Sequence, residues 1–164
     1  ENCVWIETGT YYGETTSLLA KISKKIISIE ADKKLYILAK KKLAHFSNVE
    51  ILFGKSEEML PIAIKSNINF ENICIYLDAH LCHDHLSNQK TFGDEDSATP
   101  IKLELNFIQN YLNNFKKVNI LIDDIRLFNN KFQNYPNKDY IIEWCNKNNL
   151  SWEIEQDIFI CKKY

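Results

Sequence analysis

The sequence predicts a doubly wound α/β domain: one mostly parallel sheet with helices packed on both faces. Three observations carry this. Short apolar runs of strand length alternate with segments of helical periodicity along nearly the whole chain. Two of the four glycines, Gly9 and Gly13, bracket the first strand-to-helix turn. An acidic residue, Glu30, closes the second strand. Strand-helix repetition makes a parallel sheet, and right-handed crossovers place helices on both of its faces.

Cys3 to Ile6 reads as the first strand, apolar enough to be buried on both faces, and Thr15 to Ile22 as a helix with Leu18, Leu19 and Ile22 on its core side. Lys25 to Ile29 is the second strand. Asp32 reads as an N-cap, because its carboxylate can accept from the free amides of a first turn. The helix after it carries Leu35, Leu38, Ala39 and Leu43 at helical spacing. Val49 to Phe53 is a third strand. Ser56 reads as the cap of a helix to about Lys65, with Glu57 and Glu58 suited to its positive end. Ile73 to Leu77 is the fourth strand, followed by a polar stretch from Ala79 to Thr99. A loop of that length in a compact domain is usually functional. Pro100 suits the first turn of the next helix, whose stripe is Ile101, Leu105, Ile108 and Leu112. Val118 to Ile122 is the fifth strand, Tyr140 to Cys145 anchors the last helix, and 152–154 with 158–161 form an antiparallel hairpin around Gln156 and Asp157. That pair matches the preferred hairpin turn residues poorly. With no linker composition and no internal repeat, residues 1–164 are expected to form a single domain.

Composition narrows the function classes. The chain has 164 residues, 45% hydrophobic and 26% charged, which excludes a largely disordered protein. The net charge of −2 offers no broad attraction for nucleic acid or an anionic membrane. No apolar run is long enough to cross a bilayer. The five cysteines are odd in number, show no CxxC spacing and fall partly in strands, so a reducing, cytoplasmic setting is expected. The chain opens on Glu1 straight into an apolar segment and reads as the interior of a longer protein.

In doubly wound sheets ligands bind beyond the carboxyl ends of the strands. The first such end reads Glu7-Thr8-Gly9-Thr10-Tyr11-Tyr12-Gly13. Gly9 permits a sharp turn and close ligand approach. Gly13 opens the next helix. The dinucleotide pattern GxGxxG is not met. Glu30, followed by Ala31, stands about twenty residues on, where nucleoside-binding domains hold ribose hydroxyls. An ionised carboxylate is acceptor-only and matches a vicinal diol.

The segments ETGTYYGETT, IISIEAD, NVEILFGKSEEMLP, IYLDAH and ILIDD together resemble the class I S-adenosylmethionine-dependent methyltransferases, nearest in feel to bacterial small-molecule and sugar O-methyltransferases. The resemblance implies a Rossmann-like, seven-stranded sheet with an antiparallel C-terminal hairpin. It implies S-adenosylmethionine as cofactor, held around Glu7, Thr8, Gly9, Thr10 and Gly13, with Glu30 and Ala31 at the ribose, Gly54 and Ser56 near the adenine, and Asp78 close by. The family commonly has an acidic residue where this chain has Lys55, and lysine accepts no hydrogen bond. Ser56, Glu57 or backbone atoms would then hold the adenine. The resemblance also allows a dimer or larger homo-oligomer.

Asp78 and His80 after the fourth strand, and Asp123 and Asp124 after the fifth, are expected to meet at the ligand edge. Three carboxylates repel one another unless cations or protons compensate. In metal-dependent O-methyltransferases that place holds a magnesium-like divalent cation, for which Asp78, Asp123 and Asp124 would be the ligands. The alternative is strand-end acids in water. His80 is the expected catalytic base, with Asp78 beside it. Two further function classes stay open. One is a metal-dependent hydrolase built on Asp78, His80, His83, Asp84 and His85, although that spacing matches no common zinc motif. The other is a methyltransferase-like binding module without catalysis. The expected ligand under the first reading is a small-molecule substrate, with neither nucleic acid nor membrane as partner.

Overall fold

A computed structural model describes residues 3–80, 99–129 and 135–164. Seven strands form one sheet in the order β3-β2-β1-β4-β5-β7-β6. They are β1 (Cys3–Thr8), β2 (Lys25–Glu30), β3 (Val49–Phe53), β4 (Asn72–Leu77), β5 (Lys117–Ile122), β6 (Ser151–Glu155) and β7 (Ile158–Lys163). Neighbours among β1 to β5 pair in parallel, and β7 runs antiparallel to both β5 and β6. The seven-stranded, doubly wound architecture and its antiparallel C-terminal hairpin are thus as the sequence predicts. Strand order reverses between β1 and β4, which is the topological switch point.

Among the described residues five α-helices complete the layers: α1 (Glu14–Ile22), α2 (Lys33–Lys42), α3 (Ser56–Lys65), α4 (Ile101–Ile108) and α5 (Lys138–Lys147). Helix α3 packs on β1, β2 and α4, while α1 and α2 lie against β2 and β3. The core is built from β-branched strand residues such as Val4, Ile6, Ile27, Ile75 and Ile120, closed by Leu60, Leu105 and Phe159. Asp32 caps α2 as expected, its Oδ1 accepting from the amides of Lys34 (2.8 Å) and Leu35 (2.9 Å).

Four local expectations are corrected. Helix α1 buries Thr16 and Ala20, leaving Leu18 62% and Ile22 74% exposed. Small residues let this helix lie close on β2, and the larger apolar stripe turns outward. In α2, Leu38 is exposed while Leu35, Ala39 and Leu43 are buried. Ser56 is the first residue of α3 rather than its cap, and Lys55, which has no acceptor to offer, stands at the cap position, where its side chain makes no capping bond to the helix amides. Helix α4 ends at Ile108, with Pro100 as its cap residue, and Leu112 opens a separate 3-10 turn although it remains buried.

The hairpin turn at Gln156 and Asp157 holds despite its unfavoured residues, with Gln156 at φ 53°. Tertiary contacts supply the reason. Asp157 O accepts from the amide of Ile125 at 3.0 Å, its Oδ1 accepts from Arg126 N at 2.9 Å, and its Oδ2 pairs with the Arg126 guanidinium. The turn is anchored to the chain leaving β5.

Candidate active site at the carboxyl edge of the sheet

The loop after β1 is shaped by a close backbone approach. Gly9 has φ 86°, and a Cβ there would lie 2.5 Å from the Asp78 carbonyl oxygen. Only glycine fits. Gly13 has φ 75° and caps α1 from the left-handed region. The loop is tied to the second strand, with Gly9 N and Thr10 N both donating to Ile29 O. Glu30 is buried below it, its Oε2 accepting from Tyr11 N at 2.7 Å and its Oε1 from Asp32 N at 2.8 Å. Burial raises its pKa, and the two amides oppose that rise. A carboxylate oxygen has a second lone pair, so each can accept again from a hydroxyl.

Glu7 takes a different place from the one expected. Its side chain is fully buried, with Oε2 accepting from Ser28 Oγ at 2.5 Å and from Thr16 Oγ1. Ser28 Oγ in turn meets Thr10 Oγ1 at 2.6 Å. Burial pushes the Glu7 carboxyl up to about 7 against these hydroxyls. Glu7 thus braces the glycine loop from beneath through Ser28 and Thr10.

Ala31 and Gly54 follow β2 and β3 directly, and Gly54 N donates to Glu30 O at 2.9 Å. Ser56 is buried at the start of α3. These positions and Thr8 share one edge with Asp78, whose amide donates to Thr8 O at 3.1 Å.

The acids after β4 and β5 do meet, in a changed grouping. His80 Nδ1 lies 3.4 Å from Asp78 Oδ1 and its Nε2 3.6 Å from Asp124 Oδ2. The hydrogen bond to Asp78 raises the His80 pKa, and burial pulls the other way. Burial also raises the Asp78 pKa, with His80 opposing. Asp124 sits at φ 55°, its Oδ1 2.7 Å from Arg126 Nη1. Asp123 is occupied elsewhere: its Oδ2 accepts from Tyr76 OH and its Oδ1 from Asp124 N at 2.7 Å. Among the described residues, the donor atoms close enough to share one ion belong to Asp78, His80 and Asp124, and to Asp123, Asp124 and Asp157. The expected trio Asp78, Asp123 and Asp124 is not one of these groups. A hard cation favours an all-oxygen shell. The first group mixes an imidazole with two carboxylates, and Arg126 already occupies Asp124 in both, so neither fits magnesium well. His83, Asp84 and His85 lie outside the described residues.

These groups line a small cleft, open to solvent, between the ends of β4 and β5 and the start of α4. Its apolar wall includes Phe128 and Tyr135, whose rings meet edge to face at 5.2 Å. Sequence reasoning missed Glu104, which enters this cleft from α4 at 1% exposure. Burial pushes its carboxyl up to about 7. The hydroxyls of Ser56 and Thr8 lie near enough to favour its ionised form. Yet among the described residues no hydrogen bond of ordinary length reaches Glu104 Oε1, Ser56 Oγ or Thr8 Oγ1. The signal was available: position 104 stands three residues after Ile101 and four before Ile108, on the apolar stripe of α4.

No family model matches the chain, and no curated protein does. Solved structures match over almost its full length. An rRNA methylase from Streptococcus thermophilus is 14% identical, with a TM-score of 0.55 over 98% of this chain and 84% of the other. A Staphylococcus aureus protein assigned as a caffeoyl-CoA O-methyltransferase is 15% identical, at 0.56 over 97% and 74%. A Streptococcus mutans protein assigned as a methyltransferase, solved with S-adenosylhomocysteine, is 13% identical, at 0.57 over 97% and 86%. The chain therefore has the Rossmann-like fold of the class I S-adenosylmethionine-dependent methyltransferases.

Proposed function

We propose that this chain is an S-adenosylmethionine-dependent methyltransferase acting on a hydroxyl of a small molecule. The observation that carries the proposal is the glycine loop Gly9–Gly13, closed over Glu30 at the switch-point edge of a sheet shared with methyltransferases. When bound, the cofactor supplies a methyl group on a positively charged sulfur. Glu30 would accept from the ribose hydroxyls, and Thr8, Gly9, Thr10 and Gly13 would border the methionine part. Ala31, Gly54 and Ser56 would flank the nucleoside. His80, oriented by Asp78, would take the proton from the acceptor hydroxyl, whose oxygen then attacks the methyl carbon in line. The carbon–sulfur bond would break with its electron pair going to sulfur, and the products would be a methyl ether and S-adenosylhomocysteine. Because the acid clusters suit magnesium poorly, proton removal is assigned to His80 and no step is given to a metal ion.

The net charge of −2 supports a dissolved small-molecule acceptor over nucleic acid or membrane. Among the described residues no helix is long and apolar enough to cross a membrane. The odd number of cysteines and their lack of CxxC spacing support a cytoplasmic setting. The exposed stripe of Leu18 and Ile22 on α1 supports a homo-oligomer, which sedimentation would read directly.

Calorimetric titration of S-adenosylhomocysteine tests the core of the reading. Micromolar binding, weakened at least tenfold by Glu30→Ala, is the expected result. Absence of binding by the folded protein would sink it. Binding without methyl transfer across a broad panel of hydroxylated acceptors would favour a non-catalytic binding module.

A further inference from the structure

The cleft beside His80 holds a carboxyl that methyl transfer, as described above, does not use. Glu104 stands on the buried stripe of α4 with Ile101, Leu105 and Ile108. Among the described residues its Oε1 has no hydrogen-bond partner of ordinary length, although the hydroxyls of Ser56 and Thr8 stand beside the carboxyl. An unsatisfied buried polar atom destabilises the fold, and an ionised one more so. A leucine at this position would escape that cost. The carboxyl is flanked by Thr8 at the end of β1, Ser56 and Glu57 at the start of α3, and Asp78 after β4. That is the switch point between β1 and β4, where doubly wound sheets take their ligands.

Charge in the same cleft is unbalanced. Asp78, Asp123, Asp124 and Glu104 all line it. His80 serves Asp78 and Asp124, and Arg126 serves Asp124 and Asp157. Among the described residues Asp123 receives only the neutral donors Tyr76 OH and Asp124 N. Among the described residues no cation pairs with Glu104 or Asp123. A single compact metal ion does not serve both, since Asp123 belongs to a group of described residues whose donor atoms could share one ion and Glu104 belongs to none. A ligand several atoms long can reach further.

We propose that this cleft is the acceptor subsite and that the acceptor carries an ammonium group, which donates to Glu104 Oε1 while a hydroxyl of the same molecule faces His80. The acceptor class is a small amino alcohol of the amino-sugar kind, with its C–H face against Phe128 and Tyr135. An ammonium group brings both the missing donor and the missing charge, whereas a neutral polyol brings only the donor. The word acceptor rests on the methyltransferase reading; the cation preference does not.

The test uses matched pairs differing only in that nitrogen: glucosamine against glucose, and trans-2-aminocyclohexanol against trans-1,2-cyclohexanediol. Each is titrated into nitrogen-15-labelled protein, with and without S-adenosylhomocysteine, and followed by amide chemical shifts. The amine should bind at least tenfold tighter in each pair, and Glu104→Gln should cut that preference below threefold. The wild-type comparison stands even where the variant folds poorly. Equal affinity within pairs, no binding by either member, or a preference undiminished in Glu104→Gln overturns the proposal. So does magnesium chloride alone, if it saturates the cleft and abolishes amine binding. Failure of S-adenosylhomocysteine to bind sinks the methyltransferase reading instead, and the amine preference of the free protein still decides this one.

Discussion

A single backbone contact decides residue 9. The Asp78 carbonyl leaves no room for a Cβ on Gly9, and φ 86° strains any other residue. Gly9→Ala is expected to cost about 1–3 kcal/mol in urea unfolding and to weaken S-adenosylhomocysteine binding, because the loop must shift off β4. An alanine variant with unchanged stability and binding would show that the loop is not held there. The sequence made this glycine visible but not its neighbour, because contact between β1 and β4 joins residues about seventy apart. Asp32 was legible outright, since a cap acts within three residues of itself. Glu7 was not: as an acid at a strand end it reads as a ligand contact, and only the arrival of Thr16 and Ser28 from α1 and β2 turns it into a buried brace.

Helices α1 and α4 have similar apolar patterns and opposite fates. The stripe of α4 faces the core, with Leu105 at zero exposure, whereas Leu18 and Ile22 of α1 face outward. Leu105→Ala is expected to cost 2–5 kcal/mol, roughly the range for a filled core site. Leu18→Gln and Ile22→Gln should each change stability by no more than about 0.5 kcal/mol in the monomer. Chemical denaturation of the three variants reads the difference. A large loss from the α1 variants at concentrations where the protein is monomeric would mean that this face is covered within the chain. Periodicity shows that a helix has an apolar side, but small residues on the opposite side compete for the sheet through closer approach. That competition is settled by packing distance, which no one-dimensional pattern contains.

For the whole molecule, buried acids give the stability a slope with pH. Burial raises Glu7 and Glu104 to about 7, and Asp78 and Glu30 also rise. His80 is raised by its bond to Asp78. In each case the folded state holds its proton more tightly than the unfolded chain does. The associated stability is complete below the ordinary carboxylate pKa for the acids, and below that of histidine for His80. It is lost as pH rises through the raised values. The urea midpoint should therefore fall between pH 5 and pH 8, and Glu104→Gln should flatten part of that fall. A midpoint that climbs over the same range would contradict the upward shift that burial gives these groups.

The order of strands and helices, the single sheet and the hairpin at its end were all legible in the sequence. They follow from local periodicity and from the chirality of crossovers, which neighbouring residues carry by themselves. The pairing of side chains at the carboxyl edge of the sheet was not. Asp78 meets His80, Asp124 divides itself between His80 and Arg126, Asp123 turns to Tyr76, and Glu104 comes in from α4 without a partner. These contacts join four separate elements, and their geometry depends on angstrom-scale packing that only the folded chain specifies.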